Sequence, residues 1–148
     1  MPARARRTSD AVARTASLEQ AQAAAGGRGP GTADPFVGEL RKGGLLPLLV
    51  LHLVAAEPSY GNQLIDAIRR LSAGALAVNP NTMYPLLRSL ESQGMIAGEW
   101  EHPERRSRRF YRITAKGRTE RDRLAARLAP RLDAVAAAVE LIREEVLG

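Results

Sequence analysis

The chain reads as mainly α-helical with one small β-hairpin, and three features point there. Apolar residues recur at helical spacing through three consecutive segments between residues 43 and 93. Two short runs rich in strand-forming residues follow, Met95 to Glu101 and Arg108 to Thr114, on either side of a polar turn. Beyond Thr114 the large aliphatics fall into a heptad repeat, the pattern of a long helix with a partner.

Residues 1–35 are expected to be a flexible arm. They are rich in alanine, arginine and glycine, have no apolar stripe, and hold no continuous apolar core of a secretory signal. The folded part is expected from 36. The apolar run Leu45 to Val54 contains Pro47, which a helix tolerates only in its first turn, so the first helix is placed from Gly43 or Gly44 to Glu57. Such a helix is apolar on nearly every side and must be covered on every side. Core on one face and a second chain on the other is the arrangement expected, with His52 buried and satisfied between them. Ser59 reads as the N-cap of a second helix, 60–72, whose stripe is Leu64, Ile65, Ile68 and Leu71. Asn79-Pro80 opens a third helix, closed by Gly94 as the C′ stop. Its buried stripe is Met83, Leu86, Leu87 and Leu90. The opposite face carries Asn81, Pro85, Arg88 and Ser92, flanked by Thr82 and Tyr84.

Three helices followed by a two-stranded hairpin outline a winged helix-turn-helix, with 36–114 as the expected domain. The charge agrees with that outline. Net charge is +6, from 22 Lys+Arg against 16 Asp+Glu. One stretch, Arg105 to Arg118, holds seven basic side chains and no acid, and five of the seven fall in the turn and returning strand. A basic wing beside a polar-faced helix suits double-stranded DNA. Phosphate contact is expected from Arg105, Arg106, Arg108, Arg109 and Lys116, with phenol hydrogen bonds from Tyr60 and Tyr84. Base discrimination is expected from Asn81, Thr82 and Arg88, the asparagine pairing with adenine and the arginine with guanine.

Enzymatic chemistry is not expected. The chain has no cysteine, its histidines at 52 and 102 lie in different elements, and no Gly-rich phosphate loop or carboxylate pair is present. No cofactor or metal is implied. No apolar run reaches the ~18 residues of a membrane span, and a cytoplasmic, DNA-associated location is expected. A small-molecule effector, aromatic or lipophilic, would suit apolar walls from Leu48, Leu51, Val54, Val135 and Val139. Core packing explains those residues equally well.

Four motifs carry a family likeness. Glu57-Pro58-Ser59-Tyr60-Gly61, Asn81 to Glu91, Gly94-Met95-Ile96, and Arg108 to Gly117 together resemble the PadR family of bacterial transcriptional regulators, over about residues 38–120. The resemblance implies a homodimeric winged-helix repressor, with helices outside the DNA-binding core forming the dimer, and for some members an effector. Its Thr-x-Tyr-Pro element falls on Thr82, Tyr84 and Pro85. Asn62 stands where many members carry an aromatic residue.

The segment 115–148 is expected to dimerise. Thr114 can cap it, and Leu128, Leu132, Val135, Val139, Ile142 and Val146 are spaced 4-3-4-3-4. Leu48 and Leu51 of the first helix are expected to join that interface. A continuous helix here is about 50 Å long at ~1.5 Å per residue, beyond the reach of a small core, although Pro130 offers a break. The expected whole is a dimeric repressor on a pseudopalindromic operator. The alternative is a winged interaction module that binds no DNA.

Overall fold

The computed structural model describes residues 35–104 and 108–148, so positions 1–34 of the expected arm and two expected wing contacts, Arg105 and Arg106, lie outside the described residues. Among the described residues, five helices and three short strands follow one another as α1 (Pro35–Lys42), α2 (Leu45–Ala56), β1 (Ser59–Tyr60), α3 (Gly61–Leu71), α4 (Pro80–Ser92), β2 (Ile96–Trp100), β3 (Arg109–Ile113) and α5 (Ala115–Leu147). The fold is mainly α with one small antiparallel sheet, a winged helix.

Helix α1 was not foreseen as a separate element. It ends where Gly44 adopts φ +102°, a left-handed turn that a β-carbon would resist, and α2 starts at the next residue. Pro47 then stands third in α2, where its missing N–H removes no intrahelical bond.

Ser59 does not cap α3. It lies in β1 opposite Tyr111, and its Oγ donates to the Glu57 carbonyl at 3.0 Å. Tyr60 takes the N-cap position, its backbone N–H donating to Gln63 Oε1 at 2.9 Å. The expected hairpin therefore gains a third strand, in the order β1-β3-β2. Two residues are too few for any periodicity to show, and only pairing with Phe110 and Tyr111 makes them a strand.

The core gathers Leu46, Val50, Leu51 and Val54 of α2, Leu64 and Ile68 of α3, the inner face of α4, Ile96 and Leu128. Full burial of each large aliphatic contributes roughly 1.5–3 kcal/mol. Leu71 is exposed, whereas Leu76 and Val78 of the connection beyond it are buried and complete the α3–α4 corner.

The covering of α2 corrects two expectations. This chain's own α1, α3, β3 and α5 pack against it, leaving Leu49 and Leu53 half-buried and His52 exposed. Leu48 and Leu51, expected at the dimer interface, are 8% and 0% exposed within one chain, and Leu128 is 0% exposed. These three are core residues. Leu48 and Val54 are likewise packed into the core, 8% and 2% exposed, which corrects their expected place as walls of a lipophilic effector cavity. His52 is exposed, and its Nδ1 lies 3.0 Å from Arg121 Nη2 on α5.

Helix α5 is continuous through Pro130. Thr114 caps it, its side chain accepting from Gly117 N–H at 3.0 Å. Leu124 and Leu128 dock its first half onto the core; Leu132, Val139, Ile142 and Val146 are exposed, and Val135 is half-buried. Among the described residues no helix is long and apolar enough to cross a membrane.

Candidate nucleic-acid interface

The N-terminus of α4 is built by its own sequence. Asn79 Oδ1 accepts from Thr82 N–H at 3.1 Å, and Pro80 follows at a position that needs no donor. Gly94, at φ +79°, turns the chain out of the helix into β2. Asn81, Tyr84, Arg88 and Ser92 are exposed along one face and Pro85 is half-buried among them. Lacking an N–H, Pro85 cannot serve the Asn81 carbonyl as its i+4 donor.

Thr82 is not on that face. It is 1% exposed and its Oγ1 has no hydrogen-bond partner, so it packs under α4 with Met83 and Leu86 and cannot reach a base edge. The role expected for it is corrected to a core one.

Tyr84 lies across the start of α3. A β-carbon at Gly61 would meet its Cε1 at 2.6 Å, so glycine there makes room for the ring. The motif containing Gly61 was visible in the sequence, but this steric role was not. Opposite Tyr84 rises the wing. Between them runs a groove of about 710 Å³ bordered by Tyr60, Tyr84, Arg88, Trp100, Arg108 and Arg109.

Among the described residues, the wing arginines are not free cations. Arg108 Nε lies 3.3 Å from Glu101 Oε1, and its Cζ sits 3.9 Å above the centre of the Tyr60 ring. Arg109 Nη2 meets Glu91 Oε2 of α4 at 2.5 Å, with its Cζ 5.1 Å from the centre of the Trp100 ring. Arg112 Nε is 3.3 Å from Glu99 Oε2. Antiparallel pairing causes this: Glu99 stands opposite Phe110 beside Arg112, and Glu101 N–H donates to the Arg108 carbonyl at 2.8 Å. The Arg108 guanidinium, aided by the Tyr60 hydroxyl, holds the Glu101 carboxyl below its ordinary pKa; that carboxylate in turn raises Arg108. Burial pushes the Tyr111 phenol up.

Tyr60 serves the wing as much as any ligand. Its ring packs against Phe110 at 5.2 Å between centres, tilted by 54°. Lys116 is likewise engaged, its Nζ donating to the Gln93 carbonyl at 2.8 Å. A lysine in the first turn of α5 opposes that helix's dipole, and its place is explained by the open carbonyls ending α4. Arg88 carries no ion pair among the described residues. Among those residues no group of three His, Asp or Glu side chains is placed to hold a metal.

Comparison with known proteins accords with this geometry. The model of the transcriptional regulator PadR-like family matches residues 50–123. A solved PadR family transcriptional regulator from Eggerthella lenta is 36% identical, with a TM-score of 0.54 over 69% of this chain and 87% of that one. A PadR-like transcription factor from Bacteroides fragilis is 26% identical, with a TM-score of 0.53 over 69% and 97%. Transcriptional regulator Rv3488 of Mycobacterium tuberculosis is 37% identical over 71 residues, 48% of this chain. Transcriptional regulator YqjI of Escherichia coli is 36% identical over 70 residues, 47% of this chain. The matched stretches span 64% of Rv3488 and 32% of YqjI, less than two thirds of either. The chain belongs to the PadR-like family of transcriptional regulators.

Proposed function

We propose that this chain is a sequence-specific DNA-binding repressor that acts as a homodimer on a pseudopalindromic operator. One observation carries the reading: α4 exposes Asn81, Tyr84 and Arg88, the last with no ion pair among the described residues, along the edge of an arginine-bordered groove formed with the wing. A helix with those groups can enter a major groove, Asn81 addressing adenine and Arg88 guanine, while the wing follows phosphates. Residues 36–114 form the reading domain and 115–148 the dimer element. Two readers related by a two-fold axis would engage half-sites about 10–10.5 bp apart, or a multiple of that.

Polarisation assays with random and genomically selected duplexes test this. Arg88→Ala should change sequence preference, costing about 1–3 kcal/mol at one position. Arg105→Ala or Arg106→Ala should weaken all duplexes alike and shallow the salt slope by about 1 per contact. Absence of binding to any duplex at low salt overturns the reading. One observation favours the second reading, a winged interaction module without DNA: each described wing arginine already has a glutamate partner. The same assay separates the two.

A further inference from the structure

We infer that the joint between the end of α4 and the start of α5 sets the distance at which two half-sites are read, which rests on the dimeric DNA-binding reading above. Thr114 and Gly117 are its positioning residues. The carbonyls of Gln93, Gly94 and Met95, which follow α4, are all taken up by the cap and first turn of α5. Lys116 Nζ donates to the Gln93 oxygen at 2.8 Å. Thr114 Oγ1 lies 2.7 Å from the Gly94 oxygen and 3.0 Å from the Met95 oxygen, sharing its single hydrogen between them. The Thr114 N–H donates to the same Met95 oxygen at 3.2 Å, and its Oγ1 accepts from Gly117 N–H at 3.0 Å. One hydroxyl therefore fastens the exit of the reading helix to the entry of the dimer helix. Gly117 is buried in the same joint. A β-carbon there would run into the Met95 carbonyl oxygen and come within 2.8 Å of Ile113 Cγ1. That oxygen belongs to the backbone, so no side-chain rotation relieves the clash.

Beyond the joint, α5 lays Leu124 and Leu128 on the core and runs unbroken to Leu147, carrying the exposed stripe of the dimer element. Apolar packing is non-directional, and two leucines one turn apart make a line about which a helix can rock. Hydrogen bonds have direction, and those of Thr114 and Lys116 fix the tilt and roll of α5 relative to α4. A rigid rod fastened at its base carries any tilt to its far end. From Gly117 to Val139, within the exposed stripe, α5 extends about 33 Å at ~1.5 Å per residue. A tilt of about 10° at the joint swings Val139 by about 6 Å, and two symmetric tilts shift the readers by about 12 Å, or about three base pairs at ~3.4 Å each. A joint of this precision is what a fixed half-site distance requires.

The test measures binding of the full chain to duplexes carrying two copies of the selected half-site, their separation varied one base pair at a time, beside a duplex with one copy. Wild type should favour one separation. Thr114→Val keeps the shape and removes the shared hydroxyl. It should cut that advantage about tenfold or more, while single-copy affinity and self-association stay within about twofold. Thr114→Ser, which keeps the hydroxyl, should keep the wild-type preference. Gly117→Ala should move the preferred separation by about one to three base pairs rather than abolish it, because the methyl wedges the joint open. Hydrogen exchange on the wild type needs no variant and stands if either fails to fold. The Gly117 N–H should exchange faster on an off-spaced duplex than on the preferred one, since misplaced half-sites strain its bond to Thr114. A wild-type preference that both Thr114→Val and Gly117→Ala retain, a Thr114→Val chain that loses single-copy affinity in proportion, or equal Gly117 exchange on both duplexes overturns the inference and leaves the DNA-binding reading standing. A wild type indifferent to separation overturns the dimeric operator reading and this inference together.

Discussion

Gly61 has no β-carbon, and one built there would lie 2.6 Å from the Tyr84 ring. The ring is therefore seated on the first residue of α3 and held at the edge of the groove. Gly61→Ala is expected to displace it, costing about 1–3 kcal/mol of stability as an overpacked contact and weakening every duplex similarly. Urea unfolding beside polarisation measures both effects, and unchanged values in both would show that the ring is not a fixed element. Glu101 offers a pH test. Its folded pKa is depressed, first by the Arg108 hydrogen bond, so its contribution to the wing is present above the ordinary value of 4.5 and is lost as pH falls through the lower folded value. NMR titration of its carboxyl carbon should give a midpoint below 4.5, and Arg108→Ala should return it toward 4.5. Thr82 marks where reading single residues from sequence fails. It precedes Leu86 and Leu90 by four and eight positions, which puts it on their stripe, but its hydroxyl suggested the polar side. Spacing carried the truer signal than polarity.

At the scale of elements, most helices were legible because each brings its own punctuation. Asn79-Pro80 and Gly94 bracket α4, Thr114 caps α5, and heptad spacing announced the latter's length. The wing was legible only in outline. A window from Arg105 to Arg118 contains no acid, yet the partners of its strand arginines lie 7, 13 and 18 residues away in sequence. Antiparallel register and the packing of α4 bring them together, and no local count can register that. The consequence is testable. The pairs to Glu99 and Glu101 are solvent-exposed and weakly stabilising, so phosphates can displace these glutamates at small cost. Glu99→Gln or Glu101→Gln should raise affinity for random duplex up to about fivefold at low salt, with the gain fading as salt rises. The Arg109–Glu91 pair differs: its side chains are only 28% and 32% exposed, and it ties the wing to the reading helix. Glu91→Gln should reduce discrimination between operator and random duplex rather than improve binding. A uniform rise in affinity there would mean that Glu91 merely screens charge.

For the molecule as a whole, the heptad seam divides at Pro130. Before it, Leu124 and Leu128 belong to the chain's own core; after it, Leu132, Val139, Ile142 and Val146 are 40%, 45%, 52% and 70% exposed. A proline inside a helix costs about 3 kcal/mol, partly through the i−4 carbonyl it strands. That carbonyl belongs to Ala126, an exposed residue, so water can satisfy it where the helix leaves the core. The sequence pattern alone could not divide the seam, because a core contact and an intermolecular one demand the same aliphatics. The distal stretch, residues 131–147, extends about 25 Å at ~1.5 Å per residue with its apolar stripe uncovered except at the half-buried Val135. Burial of each aliphatic would contribute roughly 1.5–3 kcal/mol, enough to hold a second copy. Val139→Glu with Ile142→Glu removes two such contributions and sets like charges on the seam. At 1.4 kcal/mol per tenfold, the dimer should weaken by at least about a hundredfold while Leu128 and the core behind it stay folded. Sedimentation equilibrium with far-UV circular dichroism measures the two separately. A double variant that sediments as the wild type does would place the subunit contact elsewhere, and the monomer it is expected to yield should lose the helical-turn spacing preference between half-sites before it loses affinity for one of them.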